Sequence, residues 1–251
     1  MLLHPTFDKL KQLRLAGMAR AFEEQQQLSE MGSLSFEERL GLLLDRESTE
    51  RESKALASRL KRARLRQEAT PEDIDFKAAR GLDRSAIIGL LDSAWLRDHR
   101  NVLITGPTGV GKTYLACAIA HKACRNGASA LYYRLPRLLP DLAVAKVDGR
   151  FRKLLEQLAR TDVLILDDWG LAPMTPEARH DLLEILDDRH GRKSTVVTSQ
   201  LPAEHWHEAI NDPTLADAIL DRLVHNAYSF KLSGESMRKK RAKLTNPEGS
   251  E

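Results

Sequence analysis

The run Asn101-Val102-Leu103-Ile104-Thr105 leads directly into Gly106-Pro107-Thr108-Gly109-Val110-Gly111-Lys112-Thr113, and this junction decides the fold of the chain. Its second half matches the pattern G-x-x-x-x-G-K-[ST] of a phosphate-binding loop. Glycines let the backbone curl so that successive N–H groups point at phosphate oxygens, and a following helix adds free N–H groups at its N terminus. The junction therefore predicts a strand, a nucleotide-binding loop and a helix, with Lys112 on the β- and γ-phosphates of ATP and Thr113 on Mg²⁺.

A glycine-rich turn that holds no ligand is the alternative interpretation of these eight residues. The β-rich run before the loop and the helical pattern YLACAIAHKAC at 114–124 after it favour the phosphate loop. A phosphate loop needs this order of strand, loop and helix. We therefore expect residues 106–113 to contact bound nucleotide.

A second motif, VLILDD at 163–168, supplies two acids after a wholly apolar run. Such a run is typical of a central strand in a parallel sheet, and ligands bind at the carboxyl ends of these strands. Asp167 is predicted to hold Mg²⁺, and Asp168 to polarise the attacking water, which favours hydrolysis over transfer to a second substrate. The alternative is a buried strand that ends in an ordinary Asp-containing turn.

From about residue 85 onward, short β-rich runs alternate with helical patterns. The β-rich runs lie at 101–105, 128–134, 163–167, 194–199 and 227–232, and the helical patterns at 112–125, 150–160, 176–189 and 214–225. This alternation predicts βαβ units, and hence an α/β domain over residues 85–245 with a largely parallel sheet flanked by helices.

The first 68 residues predict a small all-α domain. Apolar residues recur at helical intervals after Thr6, a candidate N-cap, as far as a break at Gly32-Ser33. Ser35 and Glu38 form a capping-box pattern that predicts a second helix to about Gln67. Residues 69–84 predict a linker or a short strapping segment, since they contain proline and glycine without a sustained period. Residues 246–251 are expected to be a tail.

Charge is distributed unevenly along the 251 residues. The 39 Lys and Arg residues nearly balance the 36 Asp and Glu residues, which leaves a formal net charge of +3. Two runs concentrate basic residues, RLKRARLR at 59–66 and RKKRAK at 238–243. Clustered cations attract nucleic-acid phosphates without regard to base sequence. The first run predicts backbone contacts to double-stranded DNA, without strong sequence preference, from Arg59, Lys61, Arg62, Arg64 and Arg66.

On a continuous helix, Arg59, Arg62 and Arg66 would lie within about 60° of one another. The alternative to a DNA-binding role is a solvated helix face. In that case the cations would pair with acids earlier in the same helix, namely Glu47, Glu50 and Glu52. The residues alone leave these two interpretations equally open.

Several classes of protein are excluded by composition. No apolar run approaches the roughly 20 residues that span a bilayer, and the start MLLHPTFDKLKQL lacks the features of a secretory signal. Cys117 and Cys124 would lie about 10.5 Å apart along one helix, beyond disulfide reach. A reducing compartment, the cytoplasm, is the expected location, with no membrane partner.

The motifs GPTGVGKT, LILDDWG, VVTSQLP, ADAILDRL and GESMRKK, in this order, resemble those of AAA+ ATPases of the IstB/DnaC group. The resemblance covers about residues 70–245 and is closest to the IstB-like helper proteins of bacterial insertion sequences. The helical N-terminal segments MARAFEEQ and SFEERL also look IstB-like. This resemblance implies an AAA+ P-loop NTPase fold, ATP and Mg²⁺ as ligands, and a transposase and DNA as partners.

The resemblance also implies roles for single residues. Thr198-Ser199-Gln200 match the sensor-one region beside the γ-phosphate, where we favour Gln200 and then Ser199, although the family often has Asn. Arg222 matches the arginine finger that reaches a neighbouring subunit, and Arg238 matches sensor two. Asp168 stands where many AAA+ proteins have Glu. The alternatives are an ordinary ion-pairing arginine at Arg222, near Asp221, and a member of a solvated basic tail at Arg238.

Together these features predict an ATPase that oligomerises on duplex DNA, with ATP at subunit interfaces. The resemblance implies that it helps a transposase to select or engage its target. A replicative-helicase loader with a preference for single strands is the nearest alternative. A P-loop phosphotransferase acting on a small molecule is an alternative from another class. A scaffold that binds ATP but hardly hydrolyses it is a third.

Overall fold

The computed structural model of the chain describes residues 5–28 and 33–237. Internal contacts divide the chain into two compact units, residues 1–58 and residues 59–251. Their boundary falls ten residues before the expected end of the helical domain, so the basic run 59–66 belongs to the second unit. The expectations that lie outside the described residues concern Arg238, the run 238–243, the tail 246–251 and the break at Gly32.

The first unit is helical, as the apolar spacing predicts. Its helices are α1 (Pro5–Gln12), α2 (Ala16–Gln27) and the larger part of α3 (Phe36–Ala63). The prediction of one helix from Thr6 onward is wrong, because Arg14 adopts a left-handed φ of 59° and separates α1 from α2. Thr6 is the second residue of α1, so it lies inside the helix and not before it.

The capping box at the start of α3 is confirmed. The Ser35 N–H donates to the Glu38 carboxylate at 2.8 Å, and the Glu38 N–H donates to the Ser35 hydroxyl at 3.2 Å. Further along α3, the Glu47 carboxylate accepts from the N–H groups of Gly17 and Met18 at 2.7 and 3.1 Å. These are unpaired donors at the N terminus of α2, so Glu47 joins the two helices.

The second unit is built on a five-stranded parallel sheet, which confirms the predicted α/β fold. Its strands are β1 (Asn101–Thr105), β2 (Ala130–Arg134), β3 (Val163–Trp169), β4 (Ser194–Ser199) and β5 (Ala227–Lys231). The strand order is β2-β3-β4-β1-β5, and every neighbouring pair is parallel. The carboxyl ends of β1, β3 and β4 therefore meet at one edge of the sheet.

Helices cover this sheet. The longer ones are α6 (Lys112–Arg125), α7 (Leu135–Val147), α8 (Phe151–Arg160), α9 (Pro176–Arg189) and α11 (Pro213–Val224). Shorter ones are α4 (Arg84–Leu91), α5 (Ala94–Arg97) and α10 (Trp206–Ile210), with 3₁₀ turns at Pro71–Asp73 and Ala203–His205. Strand residues such as Leu164 and Leu166 share a buried core with side chains of α7, α8, α9 and α11.

α7 and the end of α3 also differ from the sequence-based expectation. α7 is not predicted, because Pro136 and Pro140 suggest a break, yet its buried leucines and Ala145 recur at helical spacing and fix it against the sheet. α3 ends at Ala63 and does not reach Gln67, because Arg64 turns into a left-handed conformation with φ 52°.

The segment between the basic run and α4 straps across the second unit. Ala69 and Ile74 are buried, and so is the long side chain of Arg80. Of the two interpretations of residues 69–84, a linker and a strap, this packing matches the strap. Among the described residues no helix has both the length and the apolar character that a membrane span requires.

Candidate nucleotide site

The loop after β1 makes unusually close backbone contacts that require glycine. Gly106 has φ 144°, and a Cβ there would lie 2.2 Å from the Leu232 carbonyl oxygen. Gly109 has φ 88°, and a Cβ there would lie 2.3 Å from the Ser236 hydroxyl oxygen. The segment after β5 is bonded to the loop, since the Met237 N–H donates to the Gly109 carbonyl at 2.9 Å. The predicted curl of the loop is therefore present.

The lysine of the loop lies at its expected place, the first residue of α6. Its ammonium donates to the carbonyl oxygens of Gly106 and Pro107 at 2.6 and 2.8 Å, and the residue is 8% exposed. Arg80 from the strap donates to the Val110 carbonyl at 3.2 Å. Positive charge is therefore concentrated on a loop whose shape suits a phosphate chain.

Asp167 is completely buried at the carboxyl edge of the sheet, beside the first turn of α6. The Thr113 hydroxyl donates to its two carboxylate oxygens at 3.0 and 3.2 Å. The hydroxyl groups of Tyr132 and Thr198 donate to the same carboxylate. The structure thus brings together Thr113 and Asp167, the two residues predicted to hold Mg²⁺. Their hydroxyl and carboxylate oxygens fit that ion, which prefers oxygen ligands.

Asp168 follows in a left-handed conformation with φ 63°, where the pairing of β3 with β4 is irregular. Its N–H donates to the Thr198 hydroxyl oxygen at 3.3 Å. Its carboxylate accepts from Nε of Arg134 at 2.7 Å and lies 3.7 Å from Nη1 of Arg66. Asp168 therefore lies beside the residues that are predicted to hold the metal, but it is paired with arginine.

Sequence reasoning missed two neighbours, Tyr132 and Arg134, and it included Thr198 only as part of the sensor-one region. Tyr132 and Arg134 lie on β2, and Arg134 is aligned with Asp167 of β3. Burial and the Asp167 carboxylate raise the pKa of the Tyr132 hydroxyl above its usual range, so it remains a hydrogen-bond donor. These residues lie beside Asp167 because of the order of the strands in the sheet, and that order cannot be predicted from the sequence alone.

The side chains of the two candidates for sensor one have different surroundings. The Ser199 hydroxyl is buried, donates to the Trp169 carbonyl at 2.8 Å and accepts from the Leu201 N–H at 3.0 Å. Gln200 is exposed, and its side-chain oxygen accepts from the Thr108 hydroxyl of the phosphate loop at 2.8 Å. Gln200 is therefore the one whose side chain contacts the loop.

Arg222 is not brought to the phosphate loop of its own chain. Its guanidinium pairs with Asp187 and donates to the Ala218 carbonyl at 2.9 Å. Its carbonyl accepts from the side chain of Asn101, the first residue of β1, at 2.8 Å. The loop follows the other end of this five-residue strand, about 13 Å further on.

The basic run 59–66 does not form the single helical face that the sequence predicts. Nε of Arg59 donates to the Cys124 carbonyl at 2.9 Å, while Lys61, Arg62 and Arg64 are exposed. Nη1 of Arg66 lies 3.5 Å from the Asp167 carboxylate. The prediction of one shared face for Arg59, Arg62 and Arg66 is wrong, because α3 ends before Arg66. Arg66 faces the nucleotide site.

The acids earlier in α3 do not neutralise this run in the described contacts. Glu47 pairs with Arg51, and Glu50 pairs with Arg20 and Lys54. The Glu52 carboxylate accepts from the Ser48 hydroxyl at 3.3 Å. In these contacts the partners of Glu47, Glu50 and Glu52 are residues outside the basic run.

The chain is similar to ATP-binding proteins of bacterial insertion sequences. A family described as "IstB-like ATP binding protein" matches residues 8–245. Identity is 55% over 239 residues to the insertion sequence ATP-binding protein y4pL of Sinorhizobium fredii, over 95% of this chain and 98% of that protein. It is 36% over 231 residues to the IS21 ATP-binding protein of Pseudomonas aeruginosa, over 92% and 87%.

Solved structures show the same fold at lower identity. DnaI gives a TM-score of 0.58 at 23% identity, over 66% of this chain and 91% of that one. DnaA bound to AMPPCP and single-stranded DNA gives 0.57 at 16% identity, over 74% and 56%. These likenesses confirm the AAA+ P-loop fold that the motifs imply.

Proposed function

Because this chain belongs to the family of IstB-like ATP binding proteins, we propose that it is a Mg²⁺-dependent ATPase that assembles on duplex DNA and helps a transposase to select or engage its target. The observation that carries the proposal is the meeting of Thr113 and Asp167 beside the phosphate loop, with Asp168 next to them. Hydrolysis of a nucleoside triphosphate needs a phosphate cradle, metal-binding oxygens and a carboxylate that orients water.

The residues of the chain divide the work of hydrolysis. Lys112 exchanges its bonds to loop carbonyls for bonds to the phosphates, and Thr113 and Asp167 hold the metal ion. When bound, Mg²⁺ offsets the charge of the phosphate oxygens. Asp168 accepts a hydrogen bond from the attacking water once its carboxylate has left Arg134. Gln200, which contacts the loop through Thr108, lies where it can respond to the γ-phosphate.

Duplex DNA is proposed to bind along the exposed cations of the basic run. Lys61, Arg62 and Arg64 supply sequence-independent attraction to phosphates. Arg59 contributes to placing the run through its bond to the Cys124 carbonyl. We propose the transposase as partner because relatives such as y4pL are named as ATP-binding proteins of insertion sequences.

ATP is proposed to sit at the interface between subunits. Arg222 is far from its own phosphate loop and 30% exposed at its side chain, which favours a role toward a neighbouring subunit. To act there it must leave Asp187. Arg238 is proposed as sensor two because the preceding residue, Met237, is bonded to the loop at Gly109.

Light scattering tests the proposal by measuring the mass of the protein with ATP, with ADP and with added duplex DNA. We expect growth of the assembly with ATP and duplex DNA, and its loss in Lys112→Ala, which removes the charge that holds the phosphates. Arg222→Ala should also lose assembly or turnover. The matched control is Arg152→Ala, which removes an exposed arginine that pairs with Glu156 in its own helix. A native chain that stays monomeric under all conditions would contradict the proposal.

A helicase loader is the second candidate, since DnaI and the DnaC helicase loader share this fold. Affinities for duplex and single strands of equal length, measured with ATP, separate the two functions. Preference for duplex supports the transposition helper, and clear preference for single strands supports the loader. Transfer of phosphate to a metabolite, with turnover indifferent to DNA, would instead indicate a phosphotransferase.

A further inference from the structure

A cation from the basic run lies against both carboxylates of the nucleotide site. Nη1 of Arg66 is 3.5 Å from the nearer Asp167 oxygen and 3.7 Å from the nearer Asp168 oxygen. The three residues belong to the same compact unit, so this contact is internal to it. Neither the ATPase chemistry nor the DNA surface described above gives this contact a role.

The backbone holds Arg66 in a short loop that is fixed at both ends. Ala63, the last residue of α3, is fully buried, and Ala69 is 1% exposed. Between them, the left-handed Arg64 turns the chain out of the helix and toward the site. The Arg66 side chain remains 41% exposed, so its guanidinium can exchange the carboxylates for another anion without unfolding its surroundings.

Arg66 and Mg²⁺ compete for the Asp167 carboxylate. A divalent ion held there would lie within a few ångströms of the guanidinium, and like charges at that distance repel. Mg²⁺ also keeps several water molecules and near-octahedral geometry, so it needs the space beside the carboxylate. Binding of the metal with nucleotide therefore favours a position of Arg66 away from the carboxylate.

We propose that Arg66 links the DNA-binding run to the metal site, so that duplex DNA and Mg²⁺–nucleotide favour each other's binding. Without metal, Arg66 offsets part of the negative charge of Asp167 and Asp168, and Arg134 also pairs with Asp168. When Mg²⁺–nucleotide displaces it, the guanidinium becomes available to DNA phosphates beside Lys61, Arg62 and Arg64. Because coupling is reciprocal, DNA that holds Arg66 raises the affinity for Mg²⁺–nucleotide by the same factor. The inference rests on the proposed function, which supplies both the metal and the DNA.

The affinity for ADP, measured calorimetrically with and without Mg²⁺, tests this link in the full chain. The quantity compared is the Mg²⁺ gain, the factor by which adding Mg²⁺ raises the affinity for ADP. This ratio separates the effect of the metal from the direct attraction between Arg66 and phosphate. In the native protein we expect saturating duplex DNA to increase this gain about five-fold or more. Arg66→Ala should show a larger gain than native without DNA, and no further increase with DNA.

The matched control is Lys61→Ala, which removes an exposed cation of the same run that lies on α3. It should bind DNA more weakly, yet keep the native Mg²⁺ gain and its increase at saturating DNA. Arg66→Gln, which retains most of the side chain without its charge, should behave as Arg66→Ala does. Thermal unfolding checks that each variant is folded, and Arg66→Gln serves if Arg66→Ala is not.

Two outcomes would overturn the link, and they are distinguishable from each other. If the folded Arg66 variants show the native Mg²⁺ gain without DNA, Arg66 does not compete with the metal, whatever the protein does with DNA. If the native chain binds no duplex DNA, both the proposed function and its coupling to Arg66 fail. The link is supported if the Arg66 variants show a larger Mg²⁺ gain than the native protein and if DNA does not increase their gain further.

Discussion

At the scale of single residues, the conformation of Asp168 matters as much as its charge. Its φ of 63° is left-handed, a region that asparagine and aspartate adopt more readily than most residues. This conformation turns the side chain toward Arg134 of the neighbouring strand β2. A substitution that keeps the conformation but removes the charge therefore isolates the chemical role of the carboxylate.

Asp168→Asn is expected to lower ATP hydrolysis about 100-fold or more, because an amide is a poor acceptor for the proton of the attacking water. ATP affinity should change only a few-fold, since Lys112, Thr113 and Asp167 remain. Single-turnover hydrolysis and equilibrium binding measure the two effects separately. Asp217→Asn, at an exposed carboxylate that pairs with His207, is the control. Hydrolysis at the native rate by Asp168→Asn would contradict the assignment.

At the scale of structural elements, the phosphate loop depends on the segment that follows β5. Gly109 must lack a side chain because Ser236 crosses it, and this segment leads on to the residues proposed as sensor two. A larger residue at Gly109 would therefore disturb both the phosphate loop and the segment that follows β5. The chain contains a suitable comparison, Gly127, which also has a left-handed φ but has open space around its Cβ position.

Gly109→Ala is expected to weaken ATP binding at least about ten-fold, because the new Cβ displaces the segment 235–237 from the loop. Gly127→Ala carries comparable backbone strain without a clash, so it should lower thermal stability yet leave ATP affinity unchanged. Equilibrium titration with ATP and thermal unfolding of both variants provide the comparison. Equal losses of affinity in the two variants would show that strain, and not the close approach, matters.

How much of these elements the sequence predicts depends on whether local or tertiary forces fix them. The loop 106–113 and the five strands follow from local pattern, and the structure places them as expected within two residues. α7 does not, because its prolines indicate a break that burial of its leucines overrides. The sequence places Arg66 on a helix face because nothing in it shows that Arg64 turns the chain.

At the scale of the whole molecule, buried thiols in α6 report on the integrity of the second unit. Cys117 and Cys124 are free and buried, and burial raises the pKa of Cys124 to about 11. A thiol with this pKa is about 0.1% thiolate at pH 8, so it reacts slowly with disulfide reagents while the unit is folded. The raised pKa of Cys124 also makes the stability of the second unit depend on pH.

We expect the Cys117→Ala protein to react with a disulfide reagent at pH 8 only as fast as the second unit opens. Between the ordinary pKa of a thiol, near 9, and the folded value near 11, the unfolded chain binds fewer protons at Cys124, so this residue lowers stability as pH rises. Reaction rates followed across a urea titration, and unfolding midpoints from pH 8 to pH 10.5, measure both effects. Cys117→Ala/Cys124→Ala should lose that part of the pH dependence.

The strand order also determines when the nucleotide site can form during synthesis. β1 is translated first among the strands, yet its two neighbours in the sheet are β4 and β5, the last to leave the ribosome. Pairing of Asn101 with Ala227 closes a loop of well over a hundred residues. A nascent chain therefore carries its phosphate-binding sequence without both supporting strands until β5 (Ala227–Lys231) has been made. Nucleotide therefore binds late in the synthesis of each molecule. A chain that is cut short before β5 leaves one side of β1 unpaired.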